Sequence, residues 1–171
     1  MSLNSNQALA APPQAMKVSE STPKDPATIP AHPSIKFFSH TLTIELDFAP
    51  KIGQEPTDIS SIVAILPEYT NIATSVRFSI RDVPPAMNTR EDHFKRIEAI
   101  KSIILQLNRI REIRHFQAKM LIDTHNFVQM KLMADLHGLV FNKWTLAMVV
   151  VGEPIKNVEK DSAIEKRLRG V

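Results

Sequence analysis

The chain predicts an α/β domain, with α+β as the alternative: a four-stranded sheet in β-α-β-α-β-α-β order, helices mainly on one face, and a helix at the C-terminus. Three segments alternate apolar and polar residues at period two, a fourth is apolar on both faces, and the stretches between them carry apolar residues at helical spacing. Alternating strands and helices pair in parallel through right-handed crossovers. A parallel sheet covered on both sides needs strands that are apolar on both faces. The first three segments are apolar on one face only, so the pattern fits helices gathered on one side with the other open, as in a short curved β/α solenoid.

Residues 1–34 hold six of the twelve prolines and only four of the Leu, Ile, Val and Phe residues. Such a stretch buries too little apolar surface to offset its ordering entropy, which predicts a disordered Pro-rich arm ahead of a single globular domain over 35–171. In the first strand Phe38, His40, Leu42, Ile44, Leu46 and Phe48 alternate with Ser39, Thr41, Thr43, Glu45 and Asp47, making His40 a hydrogen-bonded core histidine. Thr57 or Asp58 then caps a short helix with Ile59, Ile62, Val63 and Leu66 on one side, which Pro67 stops. A second strand turns Val76, Phe78 and Ile80 inward and Ser75, Arg77, Ser79 and Arg81 outward.

The longest helix starts after Asn88 or Thr89, with Glu91 and Asp92 where the macrodipole favours negative charge. Phe94, Ile97, Ile100, Ile103, Ile104 and Leu107 form its apolar stripe. A third strand sets Phe116, Ala118, Met120 and Ile122 against His115, Gln117, Lys119 and Leu121. A turn over 123–126 leads into a helix from Phe127 that Gly138 ends as a left-handed cap. The fourth strand, Lys143 to Val151, is apolar on both faces. Its Ala147, Val149 and Val151, beside Leu121, make an apolar patch on the otherwise polar side. A terminal helix over 156–169, bringing Val158, Ile164 and Leu168, or a homodimer through the same surface, would cover it.

Composition narrows the function classes. The 21 Lys and Arg residues face 18 Asp and Glu, a net charge of +3 that does not demand nucleic acid. The excess is local: eight basic residues stand against four acidic ones between Arg90 and Lys119. No apolar run approaches the roughly 20 residues of a bilayer span. The N-terminal stretch lacks a secretory h-region and an Arg-rich transit pattern, which predicts an intracellular protein, cytoplasmic before nuclear. With no cysteine there is no disulfide, thiolate metal site or cysteine nucleophile, and the four glycines form neither GxGxxG nor GxxxxGK. HExxH and GxSxG are absent too, so no cofactor and no metal is expected.

The segment from Ile103 to Gly152 combines a helix ending Leu107-Asn108-Arg109-Ile110, the strand Phe116–Ile122, the run Asn126-Phe127 to Leu136-His137-Gly138-Leu139, and Phe141-Asn142-Lys143-Trp144 before a last strand. It resembles the C-terminal part of short uncharacterised proteins of filamentous fungi, some with a leucine-rich-repeat-like look. The resemblance implies a fungal origin and a one-sided β/α layout, and brings no activity or catalytic residue.

Three functional readings follow. A non-catalytic interaction module would use Arg77, Ser79, Arg81, His115, Gln117, Lys119, Lys143 and Thr145, side by side on the open sheet face, to take an acidic segment of an unknown protein partner. A small enzyme would gather Asp82, Asp123 and His125 near the strand C-termini, where open parallel sheets place their sites. A weak nucleic-acid binder would use the Arg90–Lys119 stretch, against which stand one Tyr, one Trp and no aromatic-basic interleaving.

Overall fold

The structure is a computed structural model that describes residues 25–49, 53, 57–83, 89–111, 113–122, 132, 134–141, 144–150 and 153–159. Its strands are β1 (Ile35–Phe38), β2 (Thr41–Asp47), β3 (Ser75–Arg81), β4 (His115–Ile122), β5 (Trp144–Val150) and β6 (Lys156–Glu159), and its helices are α1 (Ile59–Ile65) and α2 (Arg90–Leu107). The mixed α/β class stands, with six strands where four are expected. They lie in the sheet in sequence order. β2 through β5 run parallel, and β1 and β6 close the two edges antiparallel.

The two extra strands have separate origins. The predicted first strand is a hairpin: Ser39 and His40 both adopt left-handed backbone, φ 46° and 61°, between β1 and β2. Two positive φ values are what a two-residue turn needs to match the strand twist. The turn moves Phe38 to the polar face, 81% exposed, and leaves Phe37 on the apolar one. His40 is exposed rather than core. Its carbonyl accepts from Thr74 and Ser75 N–H, and its Nδ1 lies 3.1 Å from the Ile72 carbonyl, so it ties the hairpin to the entry of β3. The sixth strand replaces the start of the predicted terminal helix, because residues 156–159 pair with 145–148 of β5. Val151, residues 160–171 and the side chain of Val158 lie outside the described parts, and with them the proposed cover of the apolar patch.

Burial alternates along every central strand. The cross-strand row Ile44, Phe78, Ala118 and Leu146 is fully enclosed, as are its neighbours Leu42, Val76, Phe116 and Ile80. Ile62 of α1 and Ile100, Ile103, Ile104 and Leu107 of α2 belong to the same cluster. Each of the Leu, Ile, Val and Phe side chains among them contributes about 1.5–3 kcal/mol relative to exposure. α1 runs into a 3-10 turn, Leu66–Tyr69, with Pro67 in its first turn, so proline reshapes the helix end instead of ending it at once. α2 is capped reciprocally: Thr89 Oγ1 accepts from Asp92 N–H and donates to the Asp92 carboxylate at 2.6 Å. Its inward stripe holds as expected from Ile97 to Leu107 and differs only in the first turn. His93 is buried, whereas Phe94 is 52% exposed beneath the Arg90 guanidinium.

At the far end of α2, Asn108 acts as a clamp. Its side-chain amide donates to the Gly138 carbonyl at 2.7 Å and accepts from Val140 N–H at 3.1 Å. Both bonds pin the segment that leads toward β5. Gly138 closes a 3-10 turn, Ala134–Gly138, without left-handed backbone, in place of the expected cap. The rest of the predicted helix from Phe127 lies outside the described residues, apart from Leu132.

Residues 25–34, on the arm side of the expected boundary at residue 35, are structured. Asp25 caps a 3-10 turn, Ile29 is buried in the core, and Ser34 accepts from Glu45 N–H. Residues 25–34 hold few apolar groups but place one of them well, a possibility that composition does not register. No helix among the described residues is long and apolar enough to cross a membrane.

Candidate interaction surface

The side of the sheet opposite the core is a polar lattice set by the register. One row reads Lys36, Thr43, Arg77, Gln117 and Thr145, and the next reads Glu45, Ser79, Lys119, Ala147 and Asn157. Arg81 and His115 share this face because each is even-numbered steps from Arg77 or Gln117 along its strand. The structure thus sets Arg77, Ser79, Arg81, His115, Gln117, Lys119 and Thr145 on one face, while Lys143 lies outside the described residues. Arg77, Arg81, His115, Gln117 and Lys119 are exposed; Ser79 and Thr145 are half-buried.

Charge is distributed unevenly over this lattice. At the β1–β2 side, Lys36 meets Glu45 at 3.0 Å and Arg81 meets Asp47 at 3.6 Å. Arg77 and Lys119 form no ion pair among the described residues. They sit on adjacent strands two positions apart, about 8 Å between backbones. Their mutual repulsion in water is only about 0.5 kcal/mol, so the fold tolerates both. Around Arg77 and Lys119 the register sets Ser79, Gln117 and Thr145 as hydrogen-bonding neighbours.

Toward the C-terminal ends of β4 and β5 the face turns apolar. Leu121 pairs with Val149 and Lys119 with Ala147, and all three apolar side chains are half-buried. The β5–β6 pairing ends at Met148 and Lys156, and Ile155, the residue just before β6, is 61% exposed.

Two other constellations have a chemical look. Asp82, just past β3, is enclosed: its side chain has no exposed area, and its Oδ1 lies 3.2 Å from Arg96 Nε, itself only 11% exposed. Arg96 also stacks 5.8 Å from the Phe48 ring centre. This buried ion pair ties α2 to the end of β3 and engages the carboxylate that the enzyme reading needs. Asp123 and His125, its expected companions, lie outside the described residues.

The second constellation escaped sequence reading because its members are 29 positions apart and share no motif: His32 Nε2 lies 2.8 Å from Ser61 Oγ. Its hydrogen bonds oppose nucleophilic catalysis. Ser34 N–H donates to His32 Nδ1 at 3.1 Å, so in the neutral ring Nε2 carries the proton and donates to the serine. Ser61 Oγ in turn donates to the Asp58 carbonyl at 3.0 Å. A general base needs the opposite tautomer. The group instead fixes residues 32–34 to the start of α1. There the Ser61 hydroxyl above all, against desolvation and aided by the Ser60 and Ser61 N–H groups and His32, holds the exposed Asp58 carboxyl below its ordinary range.

Among the described residues no three His, Asp or Glu side chains are grouped to hold a metal ion. Compared with family models, curated proteins and solved structures, the chain matches none.

Proposed function

We propose that the chain is a non-catalytic interaction module that takes an acidic protein segment across the open sheet face, with its helices gathered behind the other. The reading rests on one observation: Lys36 and Arg81 are held in ion pairs with Glu45 and Asp47, whereas Arg77 and Lys119 form none among the described residues. A carboxylate-rich segment complements those two cations, and Ser79, Gln117 and Thr145 offer partners to its backbone. Exposed charges of this kind govern on-rate and partner choice more than they govern affinity.

The test is fluorescence anisotropy of a labelled polyglutamate peptide with the wild type and Arg77→Glu/Lys119→Glu. Lys95→Glu/Lys101→Glu, on the outer side of α2, serves as a charge-matched control. Binding lost in Arg77→Glu/Lys119→Glu and kept in the control supports the reading. Equal binding by all three proteins overturns it. A single-stranded oligonucleotide that outcompetes the peptide at physiological salt moves the surface to nucleic acid instead.

A further inference from the structure

Accepting that reading, we infer that the partner segment carries a bulky apolar side chain beside its carboxylates, seated on Leu121, Val149 and Ile155. Three observations place it there. Leu121 and Val149 are lateral partners across β4 and β5, and Val149 and Ile155 are each the next residue beyond the last β5–β6 pair, Met148 and Lys156. Ile155, immediately before the edge strand β6, is 61% exposed. Lys119 lies immediately next to this corner, opposite Ala147 and two positions before Leu121.

Charge complementarity selects the occupant. Lys119 and Arg77 stand on the approach to the apolar corner, so a purely apolar segment would leave two cations desolvated, and a purely acidic one would leave the corner uncovered. A lateral step of one strand and two residues along spans about 8 Å, which an extended chain covers in two to three residues. The fitting segment therefore has Asp or Glu followed, within two to four positions, by Leu, Ile, Met or Phe. Nucleic acid phosphates satisfy the cations and offer nothing to the corner.

Two labelled peptides of equal charge test this on the full chain: one of Glu and Ser, the other with a single Leu replacing a Ser three positions from a Glu. The wild type should bind the Leu peptide about tenfold more tightly, as expected for partial burial of one aliphatic side chain. Ile155→Ser/Val149→Thr should abolish that preference while leaving the Glu/Ser peptide unaffected, and Ile155→Ser alone, on an exposed position, guards against misfolding of the double variant. Equal affinity for the two peptides in the wild type, or a preference that survives in both variants, overturns the inference and leaves the acidic-segment reading intact. Failure of both peptides to respond to Arg77→Glu/Lys119→Glu overturns that reading itself. If light scattering shows the wild type to be a dimer that Ile155→Ser dissociates, the corner's occupant is a second copy and the inference is likewise wrong.

Discussion

Replacing Asp82 by asparagine keeps the shape of the side chain and removes its charge, leaving the Arg96 guanidinium, 11% exposed, without its carboxylate. Breaking a buried ion pair from one side costs about 3–5 kcal/mol, because the remaining charge stays desolvated. For a chain of this size that is a fall in melting temperature of roughly 6–20 °C. Arg96→Met should cost a comparable amount, with the added loss of its stacking on Phe48. Asp82→Asn/Arg96→Met should be more stable than the sum of the two single effects predicts, since neither charge remains. Urea unfolding of the four proteins, followed by far-ultraviolet circular dichroism, gives the cycle directly. Hydrogen exchange should locate the loss in the first half of α2, which the pair ties to β3. A cost below about 1 kcal/mol for Asp82→Asn, or additive single effects, would refute the reasoning.

Asn108→Ala removes both bonds of the clamp and should destabilise by about 1–2 kcal/mol in the same unfolding assay, with faster exchange at Val140; no change would mean the loop is held by packing alone. Ser39→Asn relieves a left-handed position in the β1–β2 turn and should stabilise by about 0.5–1 kcal/mol, whereas a loss would show that the turn is not the one described. For Asp58 the carboxyl is lowered on folding, so its contribution to the cap of α1 is present above the ordinary aspartate value of 3.8 and lost as pH falls through the lowered native one. Asp58→Asn should flatten that acid limb of the stability curve, and an unchanged limb would assign it to other carboxylates. Burial, chiefly, raises the Asp135 carboxyl, which acts in the opposite sense, so Asp135→Asn should be neutral or stabilising at neutral pH and a clear loss would contradict that sign.

Strands with one clean alternation were legible without any structure. β3 and β4 occupy the expected segments because Val76, Phe78, Ile80 and Phe116, Ala118, Met120 leave no choice of face. The β1–β2 hairpin was not, for a physical reason. A two-residue turn flips the parity of inward positions, and the Phe37-Phe38 pair satisfies either parity, so the alternation reads straight through Ser39 and His40. Neither residue is one of the glycines or asparagines that normally announce such a turn. β6 is short and largely polar, and only its pairing with β5 defines it. In α2 the buried stripe passes through His93 and Arg96 at helical steps from Ile100. The arginine is drawn inside by Asp82, a partner fourteen positions away that helical periodicity cannot reveal. The polar face of β3 and β4 was visible in their alternation, whereas the pairing of Lys36 and Arg81 that singles out Arg77 and Lys119 depends on strand register. Ile155 joins the surface only through the β5–β6 turn.

The most direct test of the open-face account is a nuclear magnetic resonance titration of isotope-labelled protein with the Glu and Leu peptide. The account predicts that the Arg77 Nε–H and Gln117 side-chain amide signals, the backbone amides around Lys119, and the Val149 and Ile155 methyl groups shift together with one saturation curve. Shifts confined to the outer side of α2, around Lys95 and Lys101, with the sheet-face signals unmoved, would contradict it.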